Sequence, residues 1–276
     1  MDNLLSYEGK RCLFAGCFSG MGEATARIVE SLGGTIVAAD IKRPTSFGFE
    51  RFHEVDLRDV DAIEQLVSET ASGGPIDRLF YCAGLPGTRP KPDVMAVNFV
   101  GLRHTVERVA PLMPKGGAAV CIASSAGLGY MSTLERVMPL MEIEDHAAAM
   151  DWVVKHQDEY EAYSFSKMCT IIYVLRRGAL LAQERGIRLN CTSPGPTDTP
   201  MVPAFIEQSG PMFENFPKPI GDRVATPEEQ GWPLAFLNSD AASYVAGENF
   251  YTDGGAANAM IMGSLKIDLT KLAEKR

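Results

Sequence analysis

The sequence predicts an α/β chain folded around one doubly wound parallel sheet with helices on both faces. Three observations carry that expectation. Apolar runs of strand length alternate with longer stretches of helical period along nearly the whole chain. Strands separated by crossover helices imply a parallel sheet covered on both sides. No internal repeat, low-complexity tract or Pro/Ser-rich linker divides the sequence, so residues 1–276 are expected to form a single unit.

Each element follows from its local pattern. A strand is expected over residues 11–16, a helix over 23–31 and a strand over 35–40. A third strand ends before Asp56, followed by a helix over 60–71, a strand over 78–82, a helix over 93–112 and a strand over 118–123. A long helix over 160–184, a strand over 187–192, a helix over 227–237 and a strand over 249–252 complete the series. Two stretches break the alternation. Residues 128–158 carry apolar side chains at helical spacing (Leu134, Val137, Met138, Met141), which marks an inserted helical segment. Residues 194–226 are rich in Pro, Phe and Met and form a candidate substrate loop. Both follow strands, on the sheet edge where open α/β folds place their ligands.

Composition narrows the function. Hydrophobic residues make up 46% of the chain and charged residues 22%, enough apolar material for a sizeable core. The 26 basic residues are outnumbered by 35 acidic ones and do not cluster; a net charge of −9 repels a phosphate backbone, so nucleic acid is not an expected partner. No run approaches the roughly 18 apolar residues of a membrane span, and Asp2 and Glu8 interrupt any leader-like start, so no membrane partner is expected. The six cysteines are scattered without a CxxC pair and share no ligand spacing with the four histidines. A reduced, cytoplasmic protein without a metal is the expectation.

The run Ala15 to Gly22 (AGCFSGMG) lies between the first strand and the first helix, with Ser19 and Met21 set among Gly16, Gly20 and Gly22. Glycines there let the backbone turn sharply and approach a pyrophosphate, whose charge the helix N-terminus favours. Asp40 ends the second strand eighteen residues after Gly22, close to the offset at which an acid meets the adenosine ribose. A carboxylate there accepts from the ribose hydroxyls and repels a 2′-phosphate, which makes NAD(H) the expected cofactor and NADP(H) the less favoured one. Lys42 and Arg43 follow directly; they either serve a 2′-phosphate or form a solvated loop. Asp56 and Leu57, after the third strand, either lie against the adenine or make a turn.

Tyr163 and Lys167 stand four residues apart on a predicted helix, hence on one face. A free phenol titrates near 10, and a neighbouring cation lowers that value, so Tyr163 is a candidate general acid/base.

Taken together, several motifs resemble the short-chain dehydrogenase/reductase family over nearly the whole chain. They are the glycine run, Cys82-Ala83-Gly84 after the fourth strand, Asn98, Ser124-Ser125 after the fifth, Tyr163 with Lys167, and Pro194-Gly195 after the sixth. The resemblance implies a Rossmann-type sheet. It implies that Tyr163 exchanges a proton with the substrate oxygen, that Lys167 lowers its pKa and binds the nicotinamide ribose, and that Ser125 hydrogen-bonds the substrate oxygen. Asn98 matches the holder of a proton-relay water; a helix-bend role is its alternative. Cys82, Ala83 and Gly84 would border the cofactor with Pro194, Gly195 and Thr197, while Thr199 matches a contact to the nicotinamide carboxamide. Ala15 and Cys82 depart from the Thr and Asn common in the family. Ser125 and Tyr163 are 38 residues apart, a spacing lengthened by the insertion. The subgroup of bacterial 3α-hydroxysteroid dehydrogenase/carbonyl reductases and coniferyl-alcohol dehydrogenases shares such an insertion.

Leu128 and Tyr130 from the insertion, with Met201, Phe205 and Phe213 from the later loop, are candidate pocket walls, with packing as the alternative for each. The expected substrate is a bulky hydrophobic secondary alcohol or its ketone, whether steroidal, alicyclic or aromatic. Two alternatives stay open: an aromatic primary alcohol of the coniferyl kind, or a catalytically silent protein that senses NAD(H). The resemblance also implies a homodimer or homotetramer.

Overall fold

The computed structural model describes residues 3–266 of the 276; residues 1–2 and 267–276 of the expected single unit lie outside the described residues. Its centre is a seven-stranded parallel sheet in the order β3-β2-β1-β4-β5-β6-β7. The strands are β1 (Arg11–Ala15), β2 (Thr35–Asp40), β3 (Arg51–Glu54), β4 (Arg78–Tyr81), β5 (Ala118–Ile122), β6 (Arg188–Pro194) and β7 (Asn249–Thr252). β1, β4, β5 and β6 are buried along their full length, so their apolar runs show no alternation; both faces are covered.

On one face lie α2 (Val60–Ser72), α3 (Lys91–Met95), α4 (Gly101–Val109) and α7 (Ala162–Arg185). The inserted segment, α5 (Leu134–Met141) and α6 (His146–His156), packs against that layer through Val137, Leu140, Ala149 and Val153. The other face is covered by α1 (Gly20–Ser31) and α10 (Pro227–Asn238) around Phe14, Phe80 and Leu234. The loop after β6 carries α8 (Val202–Ser209) and α9 (Pro211–Glu214), and α11 (Ala256–Ile261) follows β7.

The amino ends of the strands are fastened by buried arginines. Arg11 donates to both Glu50 carboxylate oxygens and to the Thr70 carbonyl, and Arg78 pairs with Asp240 at 2.6 Å. Arg188 spends its guanidinium on the Leu237 and Ser239 carbonyls, and burial together with Arg78 lowers its pKa to about 10. Satisfying each charge with fixed oxygens is what makes its burial tolerable. The carboxyl ends are left free for chemistry.

The expected helix over 93–112 is interrupted. It starts at Lys91, passes through a π-helical turn at Ala96–Val100, continues as α4 and ends in a 3-10 turn at Ala110–Leu112. The π turn falls on Asn98, and single π turns inside helices often mark functional positions. The helix expected from residue 160 begins at Ala162, because the Glu161 side chain caps it. The strand expected over 187–192 runs on to Pro194.

Candidate active site

Strand order reverses between β1 and β4, and open α/β sheets bind ligands at such a switch point. The Ala15 carbonyl accepts the N–H groups of Cys82 (2.8 Å) and Ala83 (2.9 Å), drawing the loop after β4 onto the glycine turn. A Cβ on Gly16 (φ 87°) would lie 2.3 Å from the Ala83 nitrogen, and one on Gly22 would lie 2.0 Å from the Gly16 carbonyl oxygen. No other residue type fits so close a backbone approach. Ser19 precedes α1 in extended conformation without a side-chain capping bond, so the first N–H groups of α1 have no side-chain cap. Met21 packs at the edge of the core on the α1 face.

Asp40 braces this turn. Its Oδ2 accepts the N–H groups of Cys17 (2.7 Å) and Phe18 (2.9 Å), while Oδ1 accepts that of Lys42 (3.3 Å). The two cations that follow are stacked on rings, Lys42 Nζ 5.4 Å from the Phe18 centroid and the Arg43 guanidinium 4.8 Å from that of Phe49. Asp56 forms the turn alternative. It accepts the Arg58 N–H and pairs with the Arg58 guanidinium, which also reaches Asp93 at 2.8 Å and helps hold the Asp56 carboxyl below its usual range. Leu57 is buried in the core.

The loop after β6 reaches back to the same turn. Gly195 packs against Asp253, where a Cβ would lie 2.9 Å from the aspartate Cβ, and Thr197 Oγ1 donates to the Gly195 carbonyl. The space a Cβ on Gly20 would take is 3.4 Å from Thr199 Cγ2. Around Gly84, the corresponding space is 3.6 Å from Asn98 Oδ1 and 3.9 Å from Lys167 Nζ. Gly20 thus faces Thr199, and Gly84 faces Asn98 and Lys167.

Tyr163 opens α7. The Glu161 carboxylate accepts the N–H groups of Tyr163 (2.9 Å) and Ser164 (2.7 Å), which fixes where the phenol starts. Lys167, one turn on, is buried; its Nζ donates to the Ile122 carbonyl at 2.8 Å and lies 5.6 Å from the Tyr163 ring centroid. Burial lowers the Lys167 pKa to about 8, with the thiols of Cys121, Cys191 and Cys82 opposing. The expected lowering of the tyrosine pKa by Lys167 is not what the structure gives. Burial pushes the phenol up to about 12, and the opposing pull is a hydrogen bond from Ser124.

Ser124, beside the expected Ser125, is the serine whose pull opposes the rise of the Tyr163 phenol. Ser124 is extended (φ −171°, ψ 153°) and buried at the end of β5, whereas Ser125 already belongs to the 3-10 segment Ser125–Thr133, whose start Ser124 caps through the Ala126 N–H. Adjacent serines differ in the direction they face, and only the backbone at the strand end decides between them. Asn98 Oδ1 accepts the Leu85 N–H (2.7 Å), and its Nδ2 donates to the Leu85 carbonyl (3.0 Å) and to Ser166 Oγ (3.2 Å). Its side chain clasps the loop that carries Gly84 from a position inside the π turn.

Among the candidate walls, Phe205 and Phe213 reach the site. The Phe205 ring meets Tyr163 edge-on at 5.1 Å and stacks on Phe213 at 5.8 Å. Met201 precedes α8 and accepts the Phe205 N–H through its carbonyl. Leu128 is half-buried in the 3-10 segment. Tyr130 instead packs on the core beside Tyr251, which fits the packing alternative. Sequence reasoning missed Glu161 and Gln208, which meet at 2.8 Å; an acid just before a predicted helix was a signal for the first, and nothing local marked the second.

A fold that places a glycine turn at its switch point, with a half-buried phenol and a buried ammonium beside it, belongs among the nucleotide-linked oxidoreductases. A family model described as short chain dehydrogenase matches residues 10–135, and one described as Enoyl-(Acyl carrier protein) reductase matches residues 128–257. The chain belongs to the short-chain dehydrogenase/reductase family. It is 32% identical to a 3-alpha-hydroxysteroid dehydrogenase/carbonyl reductase of Comamonas testosteroni over 88% of this chain and 95% of that protein. It is 26% identical to a coniferyl-alcohol dehydrogenase of a Pseudomonas species, over 91% of this chain and 98% of that one. The crystal structure of a 3-alpha-hydroxysteroid dehydrogenase from Pseudomonas sp. B-0831, complexed with NADH, superposes with a TM-score of 0.79 at 26% identity, covering 93% of this chain and all of that one.

Proposed function

We propose that the protein is an NAD(H)-dependent dehydrogenase that interconverts a bulky hydrophobic secondary alcohol and its ketone. The observation that carries this reading is the Tyr163 phenol with Lys167 one turn on, its ring met edge-on by Phe205, which stacks on Phe213. The residues fit a bound dinucleotide: a backbone cradle at Gly16 and Gly22 that a Cβ would fill, and Asp40 where a 2′-phosphate would meet a carboxylate. The stacking of Lys42 and Arg43 on aromatic rings supports NAD over NADP.

Bound NAD supplies the hydride acceptor. Tyr163 takes the proton of the alcohol in oxidation and returns it to the carbonyl oxygen in reduction. Ser124 donates to the substrate oxygen and orients it toward the phenol. Lys167 holds a proton near neutral pH at its lowered pKa, one turn below the phenol, and lines the ribose side of the crevice. Asn98 fixes the Leu85 backbone and so the approach of Gly84. Phe205, Phe213, Leu128 and Met201 exclude water from the reacting oxygen.

The relationship to a coniferyl-alcohol dehydrogenase, with two stacked phenylalanines beside Tyr163, favours one second reading, an aromatic primary alcohol as substrate. The free, mostly buried thiols suit a reduced, cytoplasmic setting, and no described helix is long and apolar enough to cross a membrane. The unpaired edge of β7, with Phe250, Trp232 and Phe236 exposed, suits assembly into a homodimer or homotetramer.

The deciding assay measures NADH formation with a 3α-hydroxysteroid, an alicyclic secondary alcohol, a benzylic secondary alcohol and coniferyl alcohol, each with NAD and with NADP. Turnover with NAD on a secondary alcohol is expected, together with a loss of at least about a hundredfold in Tyr163→Phe. Tight NADH binding without turnover on any alcohol, or a Tyr163→Phe enzyme of near-normal rate, would overturn the reading.

A further inference from the structure

We infer that Gln208 latches the substrate loop, and that it does so by fastening α8 to the carboxylate that caps the catalytic helix. This inference rests on the reading of Tyr163 and its loop as the substrate site. Gln208 Nε2 donates to Glu161 Oε1 at 2.8 Å, and the same oxygen accepts the Tyr163 N–H at 2.9 Å. Loop position and phenol position therefore share one acceptor. Phe205, three residues before Gln208, lies on the same side of the helix and rests on the Tyr163 ring.

Beneath the amide, the backbone after β4 comes so close that a Cβ on Gly87 would fall 2.4 Å from Gln208 Nε2 and 2.6 Å from its Cδ. Glycine at 87 leaves room for the flexible end of Gln208, which a side chain there would push aside. The latch thus joins three segments that follow three different strands: 82–87 after β4, the cap of α7, and the loop after β6.

Little else holds α8. None of its residues is fully buried, and Gly210, in a positive-φ conformation (42°), ends the helix. An eight-residue helix without buried side chains owes its place to a few specific contacts. A neutral amide is also the suitable donor here. A cation would pull the Glu161 charge away from the backbone N–H groups it caps, and an acid would face it with a like charge. Gln208 is accordingly a positioning residue. It touches neither the reacting oxygen nor the cofactor crevice and acts through Glu161 and Phe205.

Two variants test this: Gln208→Glu, which sets two carboxylates against each other, and Gln208→Ala, which removes the donor. Steady-state kinetics should show KM for the alcohol rising about tenfold in Gln208→Glu with the NADH dissociation constant unchanged. Hydrogen exchange over residues 201–214, measured without substrate or cofactor, should speed up in both single variants. Gln208→Glu with wild-type KM and exchange overturns the latch while leaving the proposed activity standing. Wild-type protein inactive on every alcohol would defeat the activity instead, and the exchange measurement would still judge the latch.

Discussion

At the scale of single residues, the adjacent Ser124 and Ser125 fall on two sides of the end of β5. Ser124 continues the extended backbone of β5 and meets the Tyr163 phenol; Ser125 has already turned into the 3-10 segment. Ser124→Ala should therefore lower kcat by about a hundredfold, as loss of a preorganised donor to a reacting oxygen does. Ser125→Ala should stay within about twofold of wild type. Parallel kinetics on the two variants decide the assignment, and the reverse ranking would restore Ser125. Asp40 has a similar double character. Placed by the sequence as the ribose acceptor, it also accepts the Cys17 and Phe18 N–H groups and so shapes the glycine turn.

At the scale of elements, the insertion is a second layer laid over the catalytic helix. Trp152 of α6 stacks on His156, and Tyr160 stacks on Phe165 of α7 at 4.1 Å, so α6 and the segment after it are stapled to the start of α7. Its other contact is less comfortable. His146 meets the His104 ring of α4 edge-on at 5.3 Å, with its Nε2 buried and unpartnered. Burial holds its pKa below the ordinary value, reinforced by His104 and Arg103 and opposed by Asp145 and Asp59. A histidine depressed in the folded state adds stability above the unfolded pKa of about 6.5, and that contribution is lost as pH falls. His53, buried beside Arg51, carries the same sign. Thermal melting should show a drop in Tm from about pH 7 to about pH 5 that is smaller in His146→Gln. Equal drops in the two proteins would remove His146 from the account. The π turn at Ala96–Val100 is the element the sequence did not disclose, because helical periodicity continues through it and a local widening of the backbone leaves no mark in composition.

At the scale of the whole molecule, the half-buried phenol and the buried ammonium set a pH dependence. With Tyr163 pushed up to about 12 and Lys167 down to about 8, the protonated phenol is the resting form at neutral pH. Oxidation needs the deprotonated form, so kcat/KM for the alcohol should climb steadily from about pH 7 to about pH 10, while ketone reduction holds or declines. A flat oxidation profile across that range would show that proton transfer to Tyr163 does not limit the reaction. Binary pattern and glycine placement by themselves determined the strands, their parallel sense, the glycine turn, the helical insertion and the Tyr163–Lys167 face. Each of these follows from local period or from spacing along one chain. Only the tertiary structure brought Ser124 to act on the phenol, stacked Lys42 and Arg43 on rings, let burial raise the phenol and joined Gln208 to Glu161. Those outcomes depend on which side chains from distant segments share one small volume, and on the loss of water there. No pattern along a single strand or helix carries that information.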